Sequence, residues 1–153
     1  MNILVSACLL GVNCRYDGKN NKISILSSLM DKYNLIPVCP EQLGGMTTPR
    51  LPSEIIGGKA SNVLEGKAKV VNIQNQDVTY YFVKGAQEAL FIAKSFKCKR
   101  AILKSKSPSC GYGAIHDGTF NDKLINGNGI CVEMLINDGI EVFTEKDLSY
   151  FIS

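Results

Sequence analysis

The chain has 153 residues, 45% of them hydrophobic, with 17 basic and 14 acidic side chains, six cysteines and one histidine. That length suits one domain, 1–153, with a core large enough to fold without disulfides, and a net charge of +3 on dispersed Lys and Arg excludes the basic footprint of a nucleic-acid binder. The opening MNILVSACLLG lacks the basic stretch and cleavage site of a signal peptide, and no apolar run approaches the roughly 18–20 residues of a membrane span.

The expected location is therefore the cytoplasm, with no membrane and no nucleic acid among the partners. Residues 2–7 (NILVSA) form a short apolar run of the kind found in buried parallel strands, and 22–33 (KISILSSLMDKY) place apolar side chains at helical spacing. LIPVC at 35–39 predicts a second strand. From Pro40 to about Asn62 the chain is rich in Gly and Pro without periodicity, which predicts a long irregular loop, and VLEGKAKVVNI predicts a small hairpin around Glu65-Gly66. Asp77 is a suitable N-cap for a helix over 78–96, whose Val78, Phe82, Ala86, Ala89, Leu90, Ala93 and Phe96 recur at three- and four-residue steps. RAIL at 100–103 predicts a third strand and 104–123 a second long irregular stretch. Residues 129–137 (GICVEMLIN) predict a helix closed by Gly139, and IEVF at 140–143 a fourth strand.

Strands alternating with helices predict an α/β fold: three layers around a mostly parallel, Rossmann-like sheet, with the ligand site at the carboxyl ends of the strands. On that topology the thiols take positions. Cys8 follows the first strand, Cys39 ends the second and Cys110 lies in the loop after the third, so three cysteines distant in sequence are expected on one rim, with Cys14 near enough to join them. Cys98 and Cys131, at a helix end and on an apolar helical face, read as core residues.

In a reducing compartment such a set serves a metal or catalysis better than disulfides. Zinc sites usually draw ligands in close pairs, and Cys8 and Cys14 have five residues between them. An iron–sulfur cluster accepts single thiolates from several loops, although the ferredoxin spacings are also absent. The residues alone therefore define a thiolate site, with a zinc-stabilised binding module and a Cys110–His116 hydrolase dyad as competing readings. Beside the thiols, Glu41 is placed to act as general acid or base, and Ser107, Ser109 and the backbone at Gly111 and Gly113 offer donors for an oxyanion or carbonyl. Arg15, Arg50, Lys104 and Lys106 are candidate phosphate contacts. No Walker loop, G-x-S-x-G elbow or G-x-G-x-x-G motif is present.

Four blocks in order, SACLLGVNCRYDG, PVCPEQLGGMTTPRLPSE, DVTYYFVKGA and ILKSKSPSCGYG, spanning residues 6–113, resemble the thiouracil desulfurase family. The resemblance implies an α/β fold and a [4Fe–4S] cluster held by three cysteines, with one iron open to a substrate's sulfur. It implies Cys8, Cys39 and Cys110 as foremost ligand candidates, with Cys14 matching a further family cysteine, and leaves open which three of the four bind. Glu41 and Ser107 or Ser109 take catalytic roles by the same resemblance, with Ser109, Gly111 and Arg15 as substrate contacts. The implied reaction is a non-redox hydrolysis that removes sulfur from a thiolated pyrimidine, thiouracil or 4-thiouridine monophosphate, as hydrogen sulfide.

Overall fold

Ile3, Leu4 and Val5 are wholly buried, and their side chains divide between two hydrophobic clusters on opposite sides of the sheet. A strand covered on both faces has no polar side to alternate with, so it reads as continuous apolar sequence. Each such side chain contributes on the order of 1.5–3 kcal/mol by leaving water. The computed structural model describes residues 1–152. In chain order the elements are β1 (Asn2–Ser6), a 3-10 turn (Ala7–Leu10), α1 (Ile25–Leu29), β2 (Asn34–Val38), α2 (Pro40–Leu43), β3 (Ser53–Ile56), α3 (Ala60–Leu64) and β4 (Lys69–Asn72). They continue with α4 (Thr79–Ser95), β5 (Arg100–Leu103), β6 (Ala114–His116), β7 (Leu124–Asn126), α5 (Ile130–Asn137), β8 (Glu141–Thr144) and α6 (Ser149–Ile152).

The main sheet has the order β2-β1-β5-β8, with every neighbouring pair parallel. The chain runs outward from β1 to β2, then crosses back to β5 and on to β8, so the winding reverses between β1 and β5. Helices α4 and α5 cover one face with Leu4, Ala101 and Leu103, while Leu26 of α1 and Phe151 of α6 cover the other with Ile3, Val5 and Ile102. This is the predicted three-layer α/β fold. Ligands on such sheets bind in the crevice beyond the carboxyl ends of the strands, where the winding reverses.

The four sheet strands form within a residue of their predicted bounds, and RAIL matches fully. Elsewhere the structure corrects the expectations. The first helix is a single short run, Ile25–Leu29, well inside the predicted 22–33. The segment 40–62 is not an irregular loop: it carries α2, β3 and the start of α3. The hairpin expected about Glu65-Gly66 is replaced by α3, closed by Gly66 in the left-handed region, and β4 pairs instead with β3, Glu54 opposite Val71. Within 104–123 the chain turns into β6, which pairs with β7. Asp77 Oδ1 accepts the Thr79 N–H at 3.0 Å, but the N-cap position of α4 is Val78, one residue later than expected, and Phe96 lies beyond the helix and is half exposed.

Helices α2 and α4 meet backbone to backbone. A methyl group at Gly85 would fall on the Pro40 carbonyl, and one at Gly44 on the Tyr81 carbonyl. Gly85 weakens α4 by about 1 kcal/mol relative to Ala in isolation, so its presence mid-helix is explained by this contact. Gly85→Ala is expected to destabilise the protein by about 1–3 kcal/mol through overpacking, outweighing the propensity gain, as a urea unfolding midpoint would show.

Candidate active site

Three parallel strands deliver the thiols. Cys8 sits in the 3-10 turn that follows β1, Cys39 directly precedes α2 at the end of β2, and Cys110 lies in the turn after β5. Cys14 is held in the loop behind Cys8, where the chain folds back and Asn21 N–H donates to the Cys8 carbonyl at 2.9 Å. All four line one cavity of about 510 Å³, together with Glu41, Arg15, Arg50, Ser107 and His116. Cys98 and Cys131 are buried in the hydrophobic core, as expected of them.

The cysteines are free thiols and differ in environment. Cys14 neighbours Cys8 and Cys39, and one thiol proton shared among them raises Cys14 and lowers the other two. Through that contact, helped by the Asn21 side chain and opposed by burial, the Cys8 thiol is drawn down to about 7. Cys39 is lowered for the same reason, and its Sγ also approaches the Cys14 carbonyl at 3.7 Å. Cys110 is pushed well up by burial and by the nearby Glu41 charge, with Ser6's hydroxyl acting in the other direction. Ser6, the last residue of β1, accepts the Lys104 N–H at 2.9 Å through its Oγ and so ties the ends of β1 and β5 together beside Cys110.

Glu41 lies in the first turn of α2, two residues after Cys39. Its Oε2 is 3.6 Å from Arg50 Nη2, and Arg50 is nearly buried: the same Nη2 donates to the Cys14 carbonyl at 2.9 Å and Nη1 to Thr48 Oγ1 at 3.0 Å. Arg50, expected as a phosphate contact, is thus a clamp that joins the acid to the thiol-bearing loop. Lys104 is likewise engaged, its Nζ 2.9 Å from Glu145 Oε1. Arg15 pairs with Asp17 at 3.3 Å and donates to Asn21 Oδ1 at 3.2 Å, so it orients the amide that meets Cys8.

The two serines separate. Ser107 lines the cavity, and its Oγ accepts the N–H groups of Ser109 and Cys110 at 3.0 and 3.1 Å, fixing the turn that carries the Cys110 thiol. Ser109 is wholly buried with no partner for its hydroxyl, and it is not part of the cavity wall. The backbone nest expected at Gly111 and Gly113 does not form, because Gly111 N–H donates to the Ser107 carbonyl and Gly113 N–H to Asn128 Oδ1, both at 2.9 Å. His116 reaches the cavity, but its Nδ1 is buried without a partner, and among the described residues no hydrogen bond joins it to Cys110. Sequence reasoning missed Ser6, Glu54 and Phe120 on the cavity wall, since nothing local distinguishes them.

Soft donors collected at the reversal point of a parallel sheet, with a clamped carboxylate at their side, define an α/β domain with thiols lining a substrate-sized cavity. The comparisons give this class its family: the chain belongs to the 2-thiouracil desulfurase family, whose profile matches residues 3–147. It is 44% identical over 147 residues to the uncharacterized protein YbbK of Bacillus subtilis (strain 168), covering 96% of this chain and 97% of that one. Among solved structures it resembles the [4Fe–4S]-dependent thiouracil desulfidase TudS, with a TM-score of 0.87 and 38% identity over 98% of this chain and 94% of that one.

The thiol set also suits a cluster by its chemistry. Iron–sulfur clusters are held by cysteine thiolates, and here the four thiols stand around open space. Among the described residues no three His, Cys, Asp or Glu side chains gather as tightly as a single ion requires. Nor is any described helix long and apolar enough to cross a membrane.

Proposed function

We propose that this protein is a [4Fe–4S]-dependent desulfidase that takes sulfur from thiolated pyrimidines, thiouracil or 4-thiouridine monophosphate, by non-redox hydrolysis. The observation that carries this reading is the delivery of Cys8, Cys39 and Cys110 by three parallel strand ends to one cavity that also holds Glu41. Family membership and the likeness to TudS support it. Cys8, Cys39 and Cys110 would hold the cluster, and Cys14, beside two of them, would steady their sulfurs from outside.

A cluster held there would supply Lewis acidity toward the thiocarbonyl sulfur. The protein's part follows from its own residues. Glu41, held in direction by Arg50, accepts a proton from the attacking water and returns it toward the departing sulfur. The Ser107 hydroxyl keeps its hydrogen free of the turn it caps and can donate to the pyrimidine carbonyl. The net change is balanced as thiocarbonyl plus water giving carbonyl plus hydrogen sulfide, with no electron acceptor. Lys106 on the same wall is a cation that a nucleotide's phosphate would meet, whereas Arg15 is already paired with Asp17.

Anaerobic reconstitution followed by assay of sulfide and pyrimidine product tests this. Brown protein absorbing broadly near ~400 nm that releases sulfide from 2-thiouracil, 4-thiouridine or its monophosphate is the expected result. Colourless protein with stoichiometric zinc and no turnover would replace it with the zinc-stabilised module. Activity of metal-free protein abolished by substitution of His116 would replace it with the thiol hydrolase.

A further inference from the structure

The loop 117–123 between β6 and β7 holds its backbone in an uncommon way. Gly118, Phe120 and Asp122 all have positive φ, 93°, 58° and 57°. For glycine this costs little, but for a bulky aromatic residue the left-handed region is an outlier that persists only where surrounding structure enforces it. The enforcing group is a carboxylate. Glu54, in β3 and 8% exposed, accepts the N–H of Gly118 at 2.9 Å and that of Phe120 at 3.2 Å, both through Oε1. A Cβ at Gly118 would stand 2.7 Å from the Ile55 carbonyl, so the loop is pressed against β3 at this point. Glu54 and Phe120 line the cavity that the four thiols share.

A strained aromatic residue, pinned by an almost buried carboxylate and brought to the wall of a substrate cavity, is costly unless the ring has a partner. Nothing in the proposed chemistry otherwise engages the flat face of a pyrimidine. We propose that Phe120 is the stacking face for the substrate's ring and that Glu54 is the positioning residue that sets it there. This rests on the desulfidase reading for the identity of the ring; the occupant it requires is a planar heteroaromatic ring of pyrimidine size. Glu54 acts as an acceptor, not as a proton donor or a charge toward substrate.

The test uses two readouts. Binding of 5-fluorouracil to the protein is followed by fluorine NMR, and desulfidation of 2-thiouracil is followed in reconstituted protein of matched iron content. Phe120→Ala is expected to weaken 5-fluorouracil binding and raise KM roughly tenfold, the scale of one lost base–aromatic stack, with kcat changed less than about twofold. Glu54→Ala should do the same at a distance, because the loop is released. Glu54→Gln keeps an Oε1 for both N–H groups and should restore near-wild-type affinity. Unaltered affinity in Phe120→Ala overturns the stacking assignment, and Glu54→Gln as impaired as Glu54→Ala overturns the acceptor role. Should Glu54→Ala fail to fold, Phe120→Leu, which keeps the bulk and loses the ring face, must still weaken binding or the proposal falls. Wild-type protein that binds 5-fluorouracil but releases no sulfide from any thiopyrimidine would sink the desulfidase reading and leave the stacking face standing.

Discussion

Cys39→Ala and Cys110→Ala are each expected to give colourless protein after anaerobic reconstitution, with iron falling from about four per chain to below one and sulfide release lost. The loss should exceed the roughly 10–100-fold that outer partners of a metal site typically cost, since a ligand itself is removed. Cys8→Ala should behave alike. Cys14→Ala should keep its colour, because the other three thiols follow three strand ends while Cys14 lies in the loop behind Cys8. Iron analysis and visible absorbance decide the matter. Full iron in both Cys39→Ala and Cys110→Ala would dismiss the ligand assignment, and loss in Cys14→Ala with retention in Cys8→Ala would exchange those two.

Glu41→Gln is expected to retain the cluster and lose turnover, with kcat down roughly 10²–10⁴-fold, the usual scale for a general acid–base group, and KM little changed. The amide fits the same space in the first turn of α2 and can still face Arg50, so the variant isolates proton transfer from packing. Steady-state kinetics at matched iron content provide the check. A variant with more than half of wild-type kcat would remove Glu41 from the chemistry and leave Arg50's contact as purely structural.

What the sequence made legible was the part fixed by burial. The runs around Ile3–Val5 and Ala101–Leu103 are apolar because both faces are covered, and that pattern, with the helices between, places Cys8, Cys39 and Cys110 on one rim before any coordinates are known. The short hairpins escaped for the complementary reason. β6 and β7 have three residues each, too few to show a period, and Leu124, Ile125 and Asn126 of β7 are all exposed. The segment 63–73 misled because Val63 and Leu64 end a helix whose stop at Gly66 resembles a turn between strands.

The site was legible in its donors and not in its restraints. A thiol beside proline at a strand end announces itself, whereas Arg50 looks like any loop cation until its guanidinium is seen joining Glu41 to the Cys14 carbonyl. Ser107 and Ser109 are alike in sequence, and only the fold turns one toward the cavity and the other into the interior. The nest expected at Gly111 failed because its N–H closes the turn around Cys110.

The contact of Gly44 and Gly85 gives the long helix a hold over the chemistry. Cys39 and Glu41 travel with α2, and α2 rests directly on the spine of α4 with no side chain between to absorb an error. The pair works like a jig in which two absent methyl groups set the height of the part. A survey ranking positions by distance from the sulfurs would overlook Gly85, yet the smallest enlargement there would shift a ligand and an acid together, as one rigid piece.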